Sequence, residues 1–173
     1  MASDKNRLVK HWHVIYTRSR AEKKVQQELT FKNIECFLPM QKILRQWKDR
    51  KKWIEIPLIS GYCFVHISRA EYDDVLKTNN VVCYVTFERK AAVIPEYQIN
   101  ALKQMLQQND FEVSVTQKNF KPGKKVEIIE GAMVGLQGEL VEARGKNKFI
   151  IRIIQINNTF MVEIPASQLS LLP

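Results

Sequence analysis

Three histidines, three cysteines and a cluster of glycines are the side chains of this 173-residue chain whose types and spacing invite chemistry. His11 and His13 alternate onto one face of a candidate strand, as two metal ligands would, but no third ligand and no glutamate partner stands near them in sequence. His66 is alone in an apolar run. Cys36, Cys63 and Cys83 are odd in number, widely spaced and set among apolar residues, so they read as reduced core thiols of a cytoplasmic protein. No G-x-S-x-G, no Cys–His motif and no acidic metal cluster is present. The sequence thus predicts no catalytic residue, no metal site and no cofactor.

The glycines remain. "EGAMVGLQGEL" (130–140) holds three of the six, Gly131, Gly135 and Gly138. A phosphate loop needs G-x-x-x-x-G-K-[ST] between a strand and a helix, so that the helix N-terminus faces the anion. Here Glu139 and Leu140 follow, then a strand, and Glu130 and Glu139 would repel phosphate. The glycines are therefore expected to serve tight turns and a bulge in a small β-domain.

With catalysis set aside, charge points to binding. A net charge of +9 favours polyanionic or acidic partners. It divides unevenly: residues 1–110 carry 19 basic and 12 acidic side chains, and 111–173 carry 8 and 6. Two clusters stand out. Arg18, Arg20, Lys23 and Lys24 surround the start of a candidate helix, where basic side chains and helix N–H groups suit phosphate. Lys42, Arg45, Lys48, Arg50, Lys51 and Lys52 are interleaved with Trp47 and Trp53, a pattern that fits either a solvated hairpin tip or a surface that stacks on bases and follows phosphates.

Regular elements must position these groups. "WHVIYT" (12–17) reads as a strand, and "SRAE" follows with Ser19 and Glu22 spaced as a capping box for a helix carrying Val25 and Leu29. "IECFLPM" (34–40) predicts a second strand, and 53–67 another that breaks at Pro57 and Gly61. "SRAE" recurs at Ser68–Glu71, before Tyr72, Val75 and Leu76. "VVCYVTF" (81–87) reads as a buried strand, and Pro95 opens a helix carrying Ile99, Leu102 and Met105. The order is that of an α+β domain. "QQNDFEVSVTQKNF" reads as a linker. Five short strand candidates follow, "KKVEII", "GELVEA", "FIIRIIQI", "TFMVEI" and "LSLL", which a small closed barrel would accommodate. The boundaries are an N-terminal tail at 1–10, an α+β domain at 11–107, a linker at 108–120 and a β-barrel at 121–173. No long apolar run marks a signal peptide or a membrane span, and a cytoplasmic monomer is expected.

"GKKVEIIEGAMVGLQGELVEA" resembles the KOW motif, with Gly138 at its central glycine. "WHVIYTRSRAEKKV", "CFLPM", the basic hairpin, "PLISGYCFVHI" and "VVCYVTF" together resemble the N-terminal domain of the NusG family. The "L-P-M…P-L" run resembles its specialised branch, the UpxY/RfaH-like antiterminators, although Ser60 stands where the family usually has proline. The resemblance implies an antiparallel sheet flanked by helices, followed by an SH3-like KOW barrel. It implies RNA polymerase as partner, with the clamp coiled coil seated on Tyr16, Ile59, Tyr62, Phe64, Tyr84 and Phe87. Strand alternation places Tyr62 and Phe64 on one face, which an open sheet would expose. The basic residues would face non-template DNA or nascent RNA, and the barrel a ribosomal protein or termination factor. The implied function is antitermination on selected, polysaccharide-type operons. Two alternatives stay open: a housekeeping NusG-type factor that couples polymerase to a termination factor or ribosome, and a ribosome-associated RNA-binding KOW protein. Retained Gly138 and the β-branched "FIIRIIQI" predict that the C-terminal segment keeps its strands rather than switching to helix.

Overall fold

β1 (His11–Thr17) is the organising strand of the first of two compact units, Met1–Glu96 and Tyr97–Pro173. A computed structural model describes residues 8–107, 112–118, 120–143 and 145–173. Residues 1–7 of the expected tail, 108–111 and 119 of the expected linker, and Arg144 lie outside the described residues.

In the first unit β1 pairs antiparallel with β5 (Tyr62–Ile67) and β6 (Val81–Tyr84), and β5 also holds β2 (Glu35–Phe37), in the order β2-β5-β1-β6. β9 (Val93–Ile94) adds to β1. Period-two alternation divides this sheet into two faces. Ile15, Cys63, Val65, Ile67 and Tyr84 pack with Val25 and Leu29 of α1 (Glu22–Phe31) and Val75 of α2 (Tyr72–Leu76) in one buried cluster. The opposite face pairs Trp12 with His66, Val14 with Phe64 and Tyr16 with Tyr62. β3 (Met40–Gln46) and β4 (Lys51–Pro57) form a separate hairpin, closed by the Trp47 N–H donating to the Arg50 carbonyl at 2.8 Å.

Several expectations are corrected. The strand read across 34–40 is two strands in two sheets, because Pro39 cannot continue the β2 ladder. Residues 81–87 are not one buried strand. β6 ends at Tyr84, and β7 (Thr86–Phe87) turns back through β8 (Lys90–Ala91) with Glu88 and Arg89 both at positive φ, while Val82, Cys83 and Phe87 are exposed. Cys83 is thus not a core thiol. The first "SRAE" does not cap: Arg20 takes a left-handed φ of 62°, Ala21 becomes the N-cap, and no side-chain cap bond forms. The second does, with both bonds of the Ser68–Glu71 box present.

α3 (Glu96–Gln107), which buries Ile99, Ala101, Leu102 and Met105, belongs to the second unit from its second residue, Tyr97, onward. β11 (Lys124–Ile128), β12 (Gln137–Ala143), β13 (Lys146–Ile153), β14 (Asn158–Glu163) and β15 (Leu169–Leu171) realise the five strand candidates. Part of the expected linker is structured as well: β10 (Ser114–Thr116) pairs with β14 at the sheet edge. The order is β10-β14-β13-β12-β11-β15, all antiparallel, over a core of Val126, Val141, Phe149, Ile151, Ile153 and Phe160. Arg152 clamps β13 to β12 by a two-point contact with Glu139, at 3.2 and 3.0 Å. Burial would raise the Glu139 pKa, but the bonds from Arg152 and from the Gly123 N–H outweigh it and hold the carboxyl below its usual range. Among the described residues no helix is long and apolar enough to cross a membrane.

Candidate functional site

Tyr16 and Tyr62 face each other across β1 and β5, their hydroxyls 2.8 Å apart and ring centroids 4.7 Å apart. Tyr16 is 37% exposed and Tyr62 half-buried. Burial, then the bond with Tyr16, pushes the Tyr62 pKa up to about 12. Ile59, half-buried, lies in the connection just before them.

That connection is fixed from beneath. Gly61 has φ +79°, its carbonyl accepts the Thr17 N–H at 2.8 Å, and its N–H donates to the Glu22 carboxylate at 2.8 Å. Glu22 is 4% exposed. The residue read from sequence as half of a capping box instead ties the start of α1 to the loop that carries Ile59 and Tyr62. Only its unusual place in an otherwise exposed, basic helix start hinted at this.

Two residues expected in the aromatic surface are core. Phe64 is fully buried, its ring 5.9 Å from that of Phe37. The sheet face is closed from Trp12 to Phe64 and accessible at the Tyr16–Tyr62 end, so alternation placed Phe64 on the right face but not at an exposed position. Tyr84 lies on the helix-covered face, stacked on Tyr72 at 3.9 Å and donating its hydroxyl to the Tyr72 carbonyl at 3.0 Å. Burial pushes its pKa well up. Phe87 is 39% exposed on the β7–β8 hairpin.

The basic residues are all exposed. Lys48, Arg50, Lys51 and Lys52 occupy the tip of the β3–β4 hairpin, and Arg18, Arg20, Lys23 and Lys24 the start of α1. Lys23 Nζ donates to the Glu55 carbonyl of β4 at 3.4 Å, which ties the start of α1 to the strand that carries Lys51 and Lys52. On the hairpin, Trp53 pairs with Leu44 across the strands, and both stand out of the surface with Trp47. An apolar, aromatic strip edged by cations results.

Gly131 and Gly135 hold φ of +88° and +85° in the β11–β12 loop, as turn glycines should. Gly138 does not belong with them. It sits within β12, where a methyl group would come within 2.5 Å of the Phe149 ring and 2.6 Å of the Ile150 carbonyl. Its role is close packing, not turning. His13, one of the candidate ligands, is engaged: Nδ1 donates to the Ala92 carbonyl at 3.0 Å, and burial lowers its pKa.

These features, a helix-backed antiparallel sheet with a separate hairpin followed by a strand-rich second unit, define a two-unit α+β protein whose first unit exposes aromatic and basic side chains. The family model described as "Transcription termination factor nusG" matches residues 10–103, more than half of the chain, and the chain belongs to the NusG family. The structure titled "Domain interaction in Thermotoga maritima NusG" is similar in fold, with a TM-score of 0.51 at 20% identity, covering 95% of this chain and 98% of that one. Two structures of an MjSpt4:Spt5 complex overlap more loosely, with TM-scores of 0.31 and 0.33 at 13% identity, covering 93% of this chain and 97% and 96% of theirs. The family is one of non-enzymatic transcription elongation factors that bind RNA polymerase.

Proposed function

We propose that this chain is a specialised antiterminator that seats its first unit on the clamp coiled coil of RNA polymerase and suppresses pausing or termination on selected operons. The observation that carries this reading is the accessible Tyr16–Tyr62 pair, held on the sheet beside the Glu22–Gly61 tie. Aromatic side chains of this kind anchor a partner helix, because they bury much area at little entropic cost. Ile59 and Phe87 extend the contact surface, and the two exposed basic clusters face the nucleic acid of the elongation complex. Binding that prefers the closed polymerase would shift its equilibrium away from paused states, and no chemical step is needed. The second unit acts as an SH3-like KOW barrel, a reading supported by β15 returning beside β11, and would recruit a ribosomal protein or termination factor.

Single-round transcription with purified polymerase tests the reading. Added full-length protein should shorten pauses and raise terminator read-through on its target operon while leaving unrelated templates unchanged. Increased termination on all templates would overturn it in favour of the housekeeping alternative.

A further inference from the structure

We propose that Cys36 and Cys63 form a reversible intramolecular disulfide that staples the base of the basic hairpin. The two Sγ atoms lie 2.8 Å apart, inside the van der Waals separation of two sulfurs, although both thiols are free. Cys36 sits in β2 directly opposite Val65, and Cys63 lies two residues along β5 on the same face, so the pair is a cross-strand diagonal. The segment between them contains the whole β3–β4 hairpin, with its tryptophans and lysines. A bond here would join the two stems from which that hairpin springs.

Accessibility sets the order of events. Cys36 is half-buried, whereas Cys63 is fully buried. A low-molecular-weight disulfide such as oxidised glutathione therefore meets Cys36 first. The Cys36 thiolate attacks one glutathione sulfur, and the first glutathione leaves as thiolate, giving a mixed disulfide. The Cys63 thiol loses its proton to water and attacks the Cys36 sulfur, and the second glutathione leaves as thiolate. Two protein thiols are oxidised, one glutathione disulfide is reduced to two thiols, and the two protons pass through water to the glutathione. The bond from Cys36, then burial, holds the Cys63 pKa well up, which makes its thiolate scarce. The short separation compensates by raising its local concentration. The second step is accordingly the slow one.

The test uses the full-length protein equilibrated in glutathione buffers of stepped oxidation, quenched in acid, alkylated and mapped by mass spectrometry. The expected result is a peptide linking Cys36 to Cys63, with both protected from alkylation, and Cys83→Ser without effect. The linked form should melt at least about 5 °C higher, because the bond restricts the unfolded chain, and dithiothreitol should reverse the shift. Cys63→Ser should trap glutathione on Cys36. Should that buried substitution unfold the chain, Cys36→Ser provides the second arm, in which Cys63 stays unmodified. Alkylation of both Cys36 and Cys63 in the oxidising buffers, with glutathione found only on Cys83, would overturn the proposal. So would a link that forms only in denaturant.

Discussion

Phe64 and Tyr62 stand two residues apart on one strand face, yet one is sealed and the other accessible. Alternation specifies a face and not a depth, so the exposure of Tyr62 was not legible without the packing around it. The same limit applied to Glu22, whose buried carboxylate turns inward and accepts the Gly61 N–H. Two further residues yield predictions. His13 titrates near 6.5 when unfolded, and burial lowers its folded value. Below that pH the unfolded chain takes up a proton that the fold resists, so stability should be level above about pH 6.5 and fall as the pH drops below it. Urea midpoints across this range measure it, and His13→Asn should flatten the slope; an unchanged slope would assign the effect to other groups. Gly138→Ala forces a methyl against Phe149 and should cost about 1–3 kcal/mol, read as a lower Tm. A neutral result would mean that β12 shifts freely away from β13.

At the scale of elements, most strands and all three described helices were legible because periodicity and punctuation agreed. The failures occurred where sequence supplied the right residues in a context that overrode them. "SRAE" appears twice, and only Ser68–Glu71 forms the box, with the Glu71 carboxylate accepting the Ser68 N–H and hydroxyl at 2.9 Å each. At the first copy Arg20 leaves the helical region, which breaks the four-residue spacing. Ser68→Ala should therefore cost about 1 kcal/mol and Ser19→Ala close to nothing. Equal losses in paired denaturant titrations would contradict this difference. β10 escaped notice because three residues of edge strand carry too little period-two signal to stand out from a polar stretch.

For the molecule as a whole, the sequence revealed the basic first unit, the strand-rich second one and the family resemblance. It did not reveal that Lys23 would bond the Glu55 carbonyl of β4, since that contact between residues distant in sequence exists only in the fold. The exposed basic residues predict a salt-dependent interaction with elongation complexes. Changing Arg18, Lys23 and Lys24 to Glu should reduce the salt slope by roughly one unit for each phosphate left unneutralised, while binding to nucleic-acid-free polymerase persists. An unaltered slope would make these residues a solvated helix face.

The central claim is that the Tyr16–Tyr62 end of the sheet holds RNA polymerase. It is tested most directly by the affinity of full-length Tyr16→Ala/Tyr62→Ala for core polymerase, beside a thermal melt of the same variant. Truncating two anchor aromatics at about 2 kcal/mol each should weaken binding by two orders of magnitude or more while the melt stays cooperative. A folded variant that binds polymerase as tightly as the parent would contradict the account and place the binding surface elsewhere on the molecule.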